Sequence, residues 1–305
     1  MNLVDIVREF PNEVACRRFL ERMRWPDGVR CLRCQSKKVK RLTAKDKAGP
    51  YREIFYCSSC RHQFTVTVGT IFHDSHLPLT KWLIAIGLMC EAKKGISALQ
   101  MKRNLGVSYK TAWYLCHRIR KAMASGNVFG KLGGGGGIVE SDETYIGGKY
   151  DRRRKRRPYE KQAVMGIVER GGMVKVEAIP TASRKILLGK LKEHVADDVR
   201  LVVTDELAAY KHTPFPHAAV NHGRYEWVRG KMHTNTVENF WSLLKRGIVG
   251  SFHRVSVKHL PRYLGEFQYR FNRRHEPELF GSTVKHLLTT DNLPYSKLTA
   301  EEVVV

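Results

Sequence analysis

Four of the chain's seven cysteines form two Cys-x-x-Cys pairs, and this spacing constrains the fold more than any other feature. Two close thiolates can bind one side of a tetrahedral zinc ion, and a second pair on a neighbouring hairpin completes the site. A segment of about 40 residues rarely buries enough apolar surface to fold alone, so the metal would supply stability. Chance pairs or a redox motif are the alternatives, and His62 is interpreted as a polar neighbour rather than a ligand. The predicted zinc ligands are Cys31, Cys34, Cys57 and Cys60.

The chain also carries a large excess of positive charge. It has 54 Lys and Arg against 29 Asp and Glu, a formal net charge of +25. Such a chain attracts polyanions, so nucleic acid is the first candidate partner and an anionic membrane surface the second. The charged N-terminus is unlike a secretory signal peptide, and the longest apolar run, near Trp82–Cys90, is too short to span a bilayer. We predict a soluble intracellular protein with no membrane partner.

The apolar pattern divides the chain into segments of helical and strand spacing. Five consecutive glycines, Gly133–Gly137, disfavour regular structure and predict a linker. Strands, a helix, a further strand and more helices follow, which is typical of an α+β or mixed α/β domain. The predicted boundaries are 1–23 for an N-terminal helical segment, 24–72 for a zinc ribbon, 73–130 for a helical region, 131–137 for the linker, 138–288 for a mixed α/β domain and 289–305 for a polar, peripheral tail. The predicted fold is therefore multidomain α+β.

The helical region contains the pattern of a helix-turn-helix. Leu105-Gly106-Val107-Ser108 reads as the turn, in which Gly106 supplies the backbone conformation and Ser108 caps the second helix. In such motifs the start of the second helix meets base edges, and cations further along reach phosphate. An ordinary helical hairpin with a solvated basic face is the alternative. The predicted DNA-binding residues on this helix are Tyr109, Lys110, Thr111 and Arg118.

A basic segment, Asp151–Lys161, lies between two predicted strands. As a loop it would bind backbone phosphate without reading sequence, and a solvated hairpin tip is the alternative. The predicted phosphate contacts are Arg152, Arg153 and Arg154.

Three acidic residues occupy unusual places in this basic chain. Asp142 lies in a strand-like stretch, Asp205 follows an apolar strand, and Glu238 lies on the first turns of an amphipathic helix. Carboxylates from separate elements could converge on two divalent ions, and hard oxygen ligands suit Mg²⁺ or Mn²⁺. Two such ions serve phosphoryl transfer by activating the attacking oxygen and stabilising the leaving one. Each acid alone would be interpreted as a surface charge, so the prediction depends on the set.

Three motifs resemble those of DDE transposases of bacterial insertion sequences. They are SDETYIGGK (Ser141–Lys149), VTDE (Val203–Glu206) and HTNTVENFWSLLKRG (His233–Gly247). The spacing of Asp205, Glu238 and Lys245 is similar to that family's D–E–K pattern. The resembling group joins an N-terminal zinc ribbon to a ribonuclease-H-like catalytic domain and is related to the eukaryotic Merlin elements. The resemblance covers about residues 12–275.

The resemblance implies roles for particular residues. Asp142 on the first strand, Asp205 at the end of the fourth and Glu238 on the following helix would be the catalytic residues and would bind magnesium or manganese. Some members carry asparagine as the third residue, so Asn235 and Asn239 remain alternatives to Glu238. Lys245 and Arg246 would contact DNA. Glu143 and Glu206 are interpreted only as neighbours of the two aspartates.

The implied activity is DNA transposition. Water would cleave the DNA at the element's terminal inverted repeats, and the exposed 3′-hydroxyl would then attack target DNA. Because two ends must be brought together, we expect a homodimer or higher oligomer on double-stranded DNA, in the bacterial cytoplasm at the nucleoid. The alternatives are a catalytically inactive DNA-binding derivative and a nuclease or resolvase of the same fold.

Overall fold

A computed structural model of the chain describes residues 1–44, 52–127, 129–147, 161–220, 228, 230 and 232–300. The chain forms two compact units. The first comprises Met1–Glu91, Ala98–Ala122 and Pro277–Val305, and the second comprises Ala92–Ser97 and Met123–Glu276. No helix among the described residues is long and apolar enough to cross a bilayer.

Both units contain helices and strands, in agreement with the multidomain α+β prediction. The α-helices are α1 Leu3–Glu9, α2 Glu13–Arg24, α3 Leu79–Glu91, α4 Ala98–Leu105, α5 Tyr109–Ser125, α6 Arg184–His194, α7 Asn235–Gly247, α8 Leu260–Asn272, α9 Leu279–Thr289 and α10 Tyr295–Thr299. The strands are β1 Val39–Ala44, β2 Arg52–Cys57, β3 Gln63–Phe64, β4 Ile138–Ile146, β5 Gln162–Glu169, β6 Val174–Ile179, β7 Leu201–Thr204 and β8 His217–Ala219.

The second unit is built on a five-stranded sheet in the order β6-β5-β4-β7-β8. Strands β4, β5 and β6 pair antiparallel, whereas β7 runs parallel to β4 and β8 runs parallel to β7. Apolar side chains on one face pack against α7 and α8, and those on the other face pack against α6. Adjacent residues of a strand point to opposite faces, so each strand supplies apolar side chains to both of these layers. Helices therefore bury both faces of the sheet. This arrangement is the one expected of a ribonuclease-H-like mixed α/β domain.

The glycine run differs from the prediction, because it is a packed turn within the second unit rather than a linker. The N–H of Gly137 donates to the carbonyl of Gly133 at 3.0 Å, and the N–H of Gly135 donates to Asp198 Oδ2 at 2.7 Å. Gly133 has φ +80°, and a Cβ there would lie 2.6 Å from a methyl of Val139. Glycine is needed here for backbone conformation and for close approach, not for flexibility.

The C-terminal segment also differs from the prediction of a peripheral tail after residue 288. Leu293 and Leu298 are buried within the first unit, and the hydroxyl of Tyr114 donates to the carbonyl of Leu293. The Tyr295 ring packs edge-on against Tyr114, with ring centroids 5.4 Å apart. Helix α9 belongs to the same unit, where Phe280 stacks on Phe19. The tail therefore packs against α5, which its polar character did not suggest, and α9, which the predicted boundaries assign to the mixed α/β domain, packs against α2 in the first unit.

Candidate functional site

The four predicted cysteines come together in the first unit. Their four Sγ atoms, those of Cys31, Cys34, Cys57 and Cys60, all lie within 4.8 Å of one another. The Sγ atoms of Cys31 and Cys60 are 3.5 Å apart, and those of Cys34 and Cys57 are 3.6 Å apart. Zinc–sulfur bonds of about 2.3 Å in a tetrahedron put sulfurs about 3.8 Å apart, so the donor set and its spacing fit zinc.

Each Cys-x-x-Cys pair lies in the same kind of tight turn. The N–H of Gln35 donates to the carbonyl of Cys31, and the N–H of Arg61 donates to the carbonyl of Cys57, both at 2.9 Å. Gln35 and Arg61 both have φ +58°. This repeated geometry directs two sulfurs from each turn toward a common centre.

The electrostatics of the cluster favour the thiolate form at Cys31 and Cys57, whereas, against a backbone hydrogen bond at His62, burial and the neighbouring thiols raise the pKa of Cys60. Burial raises the pKa of the Cys57 thiol, but hydrogen bonds from the backbone N–H groups of Cys60 and Ser59 and from neighbouring thiols outweigh it and lower the pKa to about 6. The His62 ring is not part of the cysteine group and stacks on Phe64, with ring centroids 5.8 Å apart. This position agrees with the interpretation of His62 as a neighbour of the zinc ligands. The cluster therefore supports a structural zinc bound by four thiolates.

In the second unit, the sheet brings Asp142 and Asp205 together. The parallel register pairs Glu140 on β4 with Val203 on β7. Two residues further on, Asp142 lies beside Asp205, which directly follows the last residue of β7. Asp205 thus lies at the carboxyl end of β7, where α/β sheets commonly bind ligands, and Asp142 lies in the middle of β4, just beyond the residues that pair with β7.

Glu143 joins the two aspartates, although the sequence suggested only a neighbour. Ligand atoms of Asp142, Glu143 and Asp205 all lie within 4.8 Å of one another. The hydroxyl of the buried Tyr210 donates to Glu143 Oε2 at 2.9 Å. Strand alternation directs Asp142 and Glu143 to opposite faces of the sheet, so no sequence pattern pointed to Glu143 as a member of the cluster.

Crowding of the carboxylates changes their acidity. Burial raises the pKa of Asp142 to about 6, and Asp205 and Glu238 add to the increase, while a hydrogen bond from Trp241 opposes it. Burial raises the pKa of Glu143 to about 7, with contributions from Asp205 and Asp142. Like charges in a poorly solvated place disfavour ionisation, and a bound cation would reverse this effect.

Glu238 lies close to this group but outside it. It is exposed on the first turn of α7 and accepts a hydrogen bond from Thr234 Oγ1 at 2.7 Å. Within the described residues, its carboxylate is near enough to raise the pKa of Asp142 but does not belong to the group within 4.8 Å. The alternatives Asn235 and Asn239 are exposed on the same helix.

A second residue that the sequence reasoning missed, Glu140, fixes the start of α7. Its fully buried carboxylate accepts from the N–H groups of Thr236 and Val237 at 2.7 and 3.1 Å. Arg170 Nε donates to it at 2.6 Å, and His233 Nδ1 lies 3.3 Å away. A carboxylate at a helix N-terminus satisfies otherwise unpaired donors and the helix dipole. An acid two residues before Asp142, hence on the same strand face, was the available signal.

The predicted helix-turn-helix is present as α4, a short turn and α5. Ser108 Oγ accepts from the N–H of Thr111 at 3.1 Å, as the capping prediction required, and Gly106 has φ +59°. Tyr109 is 52% exposed, and the ammonium of exposed Lys110 lies over the Tyr295 ring at 4.6 Å. The start of α5 therefore presents Tyr109 and Lys110 to solvent.

Arg118 does not fit the predicted DNA contact. It is only 3% exposed, and its guanidinium donates to the carbonyl of His73 at 2.7 Å. The same group lies over the rings of Trp82 and Tyr114. Its helical position places it on the inward face of α5, so Arg118 stabilises the first unit and cannot reach phosphate.

The remaining predicted DNA contacts divide into two groups. Lys245 and Arg246 are exposed near the end of α7. The basic loop residues Arg152, Arg153 and Arg154 lie outside the described residues.

Comparison with known proteins matches two domain families to this chain. The family model of the ISXO2-like transposase domain matches residues 133–272, and that of the transposase zinc-ribbon domain matches residues 11–63. A protein of Halobacterium salinarum, described as an uncharacterized protein in transposable element ISH50, is 28% identical over 289 residues, covering 87% of this chain and 92% of that protein.

The two matched regions contain the two clusters. The zinc-ribbon match includes all four clustered cysteines, and the transposase-domain match includes Asp142, Glu143, Asp205 and Glu238. The order of the two domains is the one that the sequence motifs implied. The chain therefore joins a region that matches the transposase zinc-ribbon domain to a following region that matches the ISXO2-like transposase domain, the combination that its sequence motifs resemble.

Proposed function

We propose that the protein is an active DDE transposase that binds the terminal inverted repeats of its element and catalyses metal-dependent DNA cleavage and strand transfer. The observation that carries this proposal is that carboxylate oxygens of Asp142 on β4 and of Asp205 at the carboxyl end of β7 lie within 4.8 Å of each other, in the region matched by the transposase domain. A DNA-binding protein without catalysis would have no use for carboxylates crowded together in a basic chain, because they oppose binding to phosphate.

Asp142, Asp205 and Glu238 are the proposed catalytic residues, and their carboxylates suit Mg²⁺ or Mn²⁺. Bound there, such ions supply stabilisation of the attacking and leaving oxygens in an in-line displacement at phosphorus. Trp241 holds Asp142 in one orientation through its hydrogen bond at 2.9 Å, and Glu140 holds the start of the helix that carries Glu238. These residues prepare the site before DNA arrives, which lowers the cost of organising it during the reaction.

DNA binding is assigned chiefly to the first unit. The zinc ribbon, together with Tyr109, Lys110 and Thr111 of α5, would recognise the element ends, while Lys245, Arg246 and the basic loop would contact phosphate near the reaction. Because two ends must be joined, the active form would be a homodimer or higher oligomer on DNA, and its substrate places it at the nucleoid. Affinity for arbitrary DNA should fall steeply as the salt concentration rises, because the Lys and Arg side chains of the protein displace counterions from the DNA phosphates when they bind.

A strand-transfer assay with oligonucleotides ending in the element's terminal repeat tests this proposal. Asp142→Asn and Asp205→Asn should each abolish cleavage and joining while leaving DNA affinity intact, and Glu238→Gln should do the same if Glu238 is the third catalytic residue. Glu206→Gln, which removes an exposed carboxylate beside Asp205, is the matched control and should remain active. If the aspartate variants join DNA as well as the wild type, the catalytic assignment is wrong. Cleavage without joining by the wild type would instead indicate a nuclease or resolvase.

A further inference from the structure

We propose that Glu143 is a further metal ligand of the acidic cluster and that Tyr210 is the residue that positions it; this inference rests on the proposed function. Three observations carry it: the place of Glu143 among the carboxylates, the support of its side chain by a buried phenol, and the neutral side-chain donors that Asp142 and Glu143 have among the described residues.

The first observation is geometric. Glu143 offers an oxygen within 4.8 Å of ligand atoms on both Asp142 and Asp205, a spacing suited to shared coordination of a cation. Its Oε2 accepts the Tyr210 hydroxyl at 2.9 Å. A carboxylate has two oxygens with about four acceptor positions, so one hydrogen bond leaves capacity for a metal.

The second observation concerns Tyr210. It is fully buried, and its hydroxyl also lies 3.4 Å from Ser141 Oγ. Tyr210 closes the short 3₁₀ turn Ala208–Tyr210, which follows Asp205, and the N–H of Leu207 donates to Asp205 Oδ1 at 3.1 Å. One short segment after β7 therefore supplies both Asp205 and the phenol that fixes Glu143. Partners that orient a ligand in this way contribute strongly to metal affinity.

The third observation is electrostatic. The hydrogen bonds that reach Asp142 and Glu143 come from neutral donors, the Trp241 indole and the Tyr210 phenol. These two donors orient the carboxylates without adding positive charge, so they leave the repulsion between Asp142 and Glu143 in place. A divalent cation shared by the three would offset that repulsion.

Titration of the full-length, zinc-loaded protein with Mn²⁺, followed by calorimetry and by the electron paramagnetic resonance signal of free Mn²⁺, tests the inference without requiring activity. We expect Glu143→Gln and Tyr210→Phe each to weaken Mn²⁺ binding by about tenfold or more. Glu206→Gln removes the same charge from a residue that likewise adjoins a cluster aspartate, and it should bind Mn²⁺ like the wild type. Thermal unfolding without Mn²⁺ separates a ligand role from a purely structural one, because only the former lowers affinity in a protein of unchanged stability.

The outcomes distinguish this inference from the proposed function. If Asp142→Asn weakens Mn²⁺ binding and Glu143→Gln does not, Glu143 is no ligand, while the proposed function stands. If neither variant changes the affinity, the cluster binds no metal and both proposals fall. An equal loss in Glu143→Gln and Glu206→Gln would reduce the effect to overall charge and overturn the inference. Should Glu143→Gln not fold, Tyr210→Phe, which removes a single oxygen, decides the question.

Discussion

The indole N–H of Trp241 donates a hydrogen bond to Oδ2 of Asp142 at 2.9 Å, joining helix α7 to strand β4. Gly166 pairs with Asp142 across the sheet, and a Cβ at Gly166 would lie 2.6 Å from the Trp241 ring. The indole thus occupies space that only glycine leaves open. The orientation of a proposed catalytic aspartate therefore depends on a residue of the neighbouring strand that has no side chain.

Gly166→Ala should displace Trp241 and disturb Asp142. We expect destabilisation of about 1–3 kcal/mol from overpacking, together with lower strand-transfer activity. Thermal unfolding and the strand-transfer assay measure the two effects. Gly189→Ala is the matched control, because Gly189 lies in α6 with open space around its Cβ position, and alanine there favours the helix. Equal behaviour of the two variants would show that Trp241 tolerates the added methyl.

Glu140→Ala should strongly destabilise the second unit. It leaves Arg170 and the first N–H groups of α7 without their buried acceptor, and removing one partner of a buried ion pair costs about 3 kcal/mol or more. Glu140→Gln keeps the shape and one acceptor oxygen and should lose less. Denaturant unfolding provides the measurement, with exposed Glu193→Ala as the control that should change little. Equal unfolding midpoints for Glu140→Ala and the wild type would contradict the capping role.

The acidic cluster predicts a pH dependence of stability in protein that retains zinc but lacks added divalent ions. The folded-state pKa values of Asp142 and Glu143 are raised to about 6 and about 7, so folding favours their protonated forms. Their contribution to stability is complete below their unfolded pKa values, near 4, and is lost as the pH rises through 6 to 7. Melting temperatures between pH 5.5 and 8 should show this loss in the wild type and a smaller loss in Asp142→Asn. Mg²⁺ should raise the melting temperature more at pH 8 than at pH 5.5. If the melting temperatures of the wild type and of Asp142→Asn fall equally steeply with pH, the cluster makes no contribution to the pH dependence.

Zinc removal should unfold the ribbon selectively. Thiolate ligation supplies much of the stability of so small a segment, so chelation or Cys57→Ser should expose residues 24–66 to protease while the region after Gly137 stays folded. Metal analysis should find one zinc per chain in the wild type and in Cys90→Ala, since Cys90 is outside the cluster, and none in Cys57→Ser. Unchanged proteolysis after zinc loss would mean that the ribbon folds without metal.

Arg118→Ala and Tyr109→Ala should have opposite effects. Arg118 is buried against Trp82 and Tyr114, so its loss should lower the melting temperature of the first unit. Tyr109 is exposed at the start of α5, so its loss should weaken binding to end DNA with little effect on melting. Fluorescence anisotropy and thermal unfolding of both variants provide the comparison. Normal stability combined with a reduced salt dependence of DNA binding in Arg118→Ala would restore the original assignment of Arg118 to phosphate.

Short-range patterns determined much of this protein from its sequence. Ligand spacing identified the four cysteines, and turn chemistry at Gly106 and Ser108 predicted the junction between α4 and α5. These features depend on neighbours only a few residues apart, whose geometry the backbone restricts directly. The acids Asp142 and Asp205 were also recognisable, because carboxylates are out of place beside apolar strands and because the surrounding motifs resembled a known family.

Tertiary packing alone decided which of these groups meet and which face inward. Glu143 enters the acidic cluster through the register of β4 with β7 and through a phenol far along the chain, and neither is encoded near Glu143. Arg118 is buried because α5 turns that face toward Trp82, and the neighbouring His117 and Arg120 are buried as well, although a run of basic residues in a sequence is typical of a solvated face. The glycine run packs instead of linking because Val139 lies against it. The sequence alone determines residue types and their local spacing. The distances between side chains that are remote in the sequence are determined only when the sheet and its helices bury their apolar faces against each other.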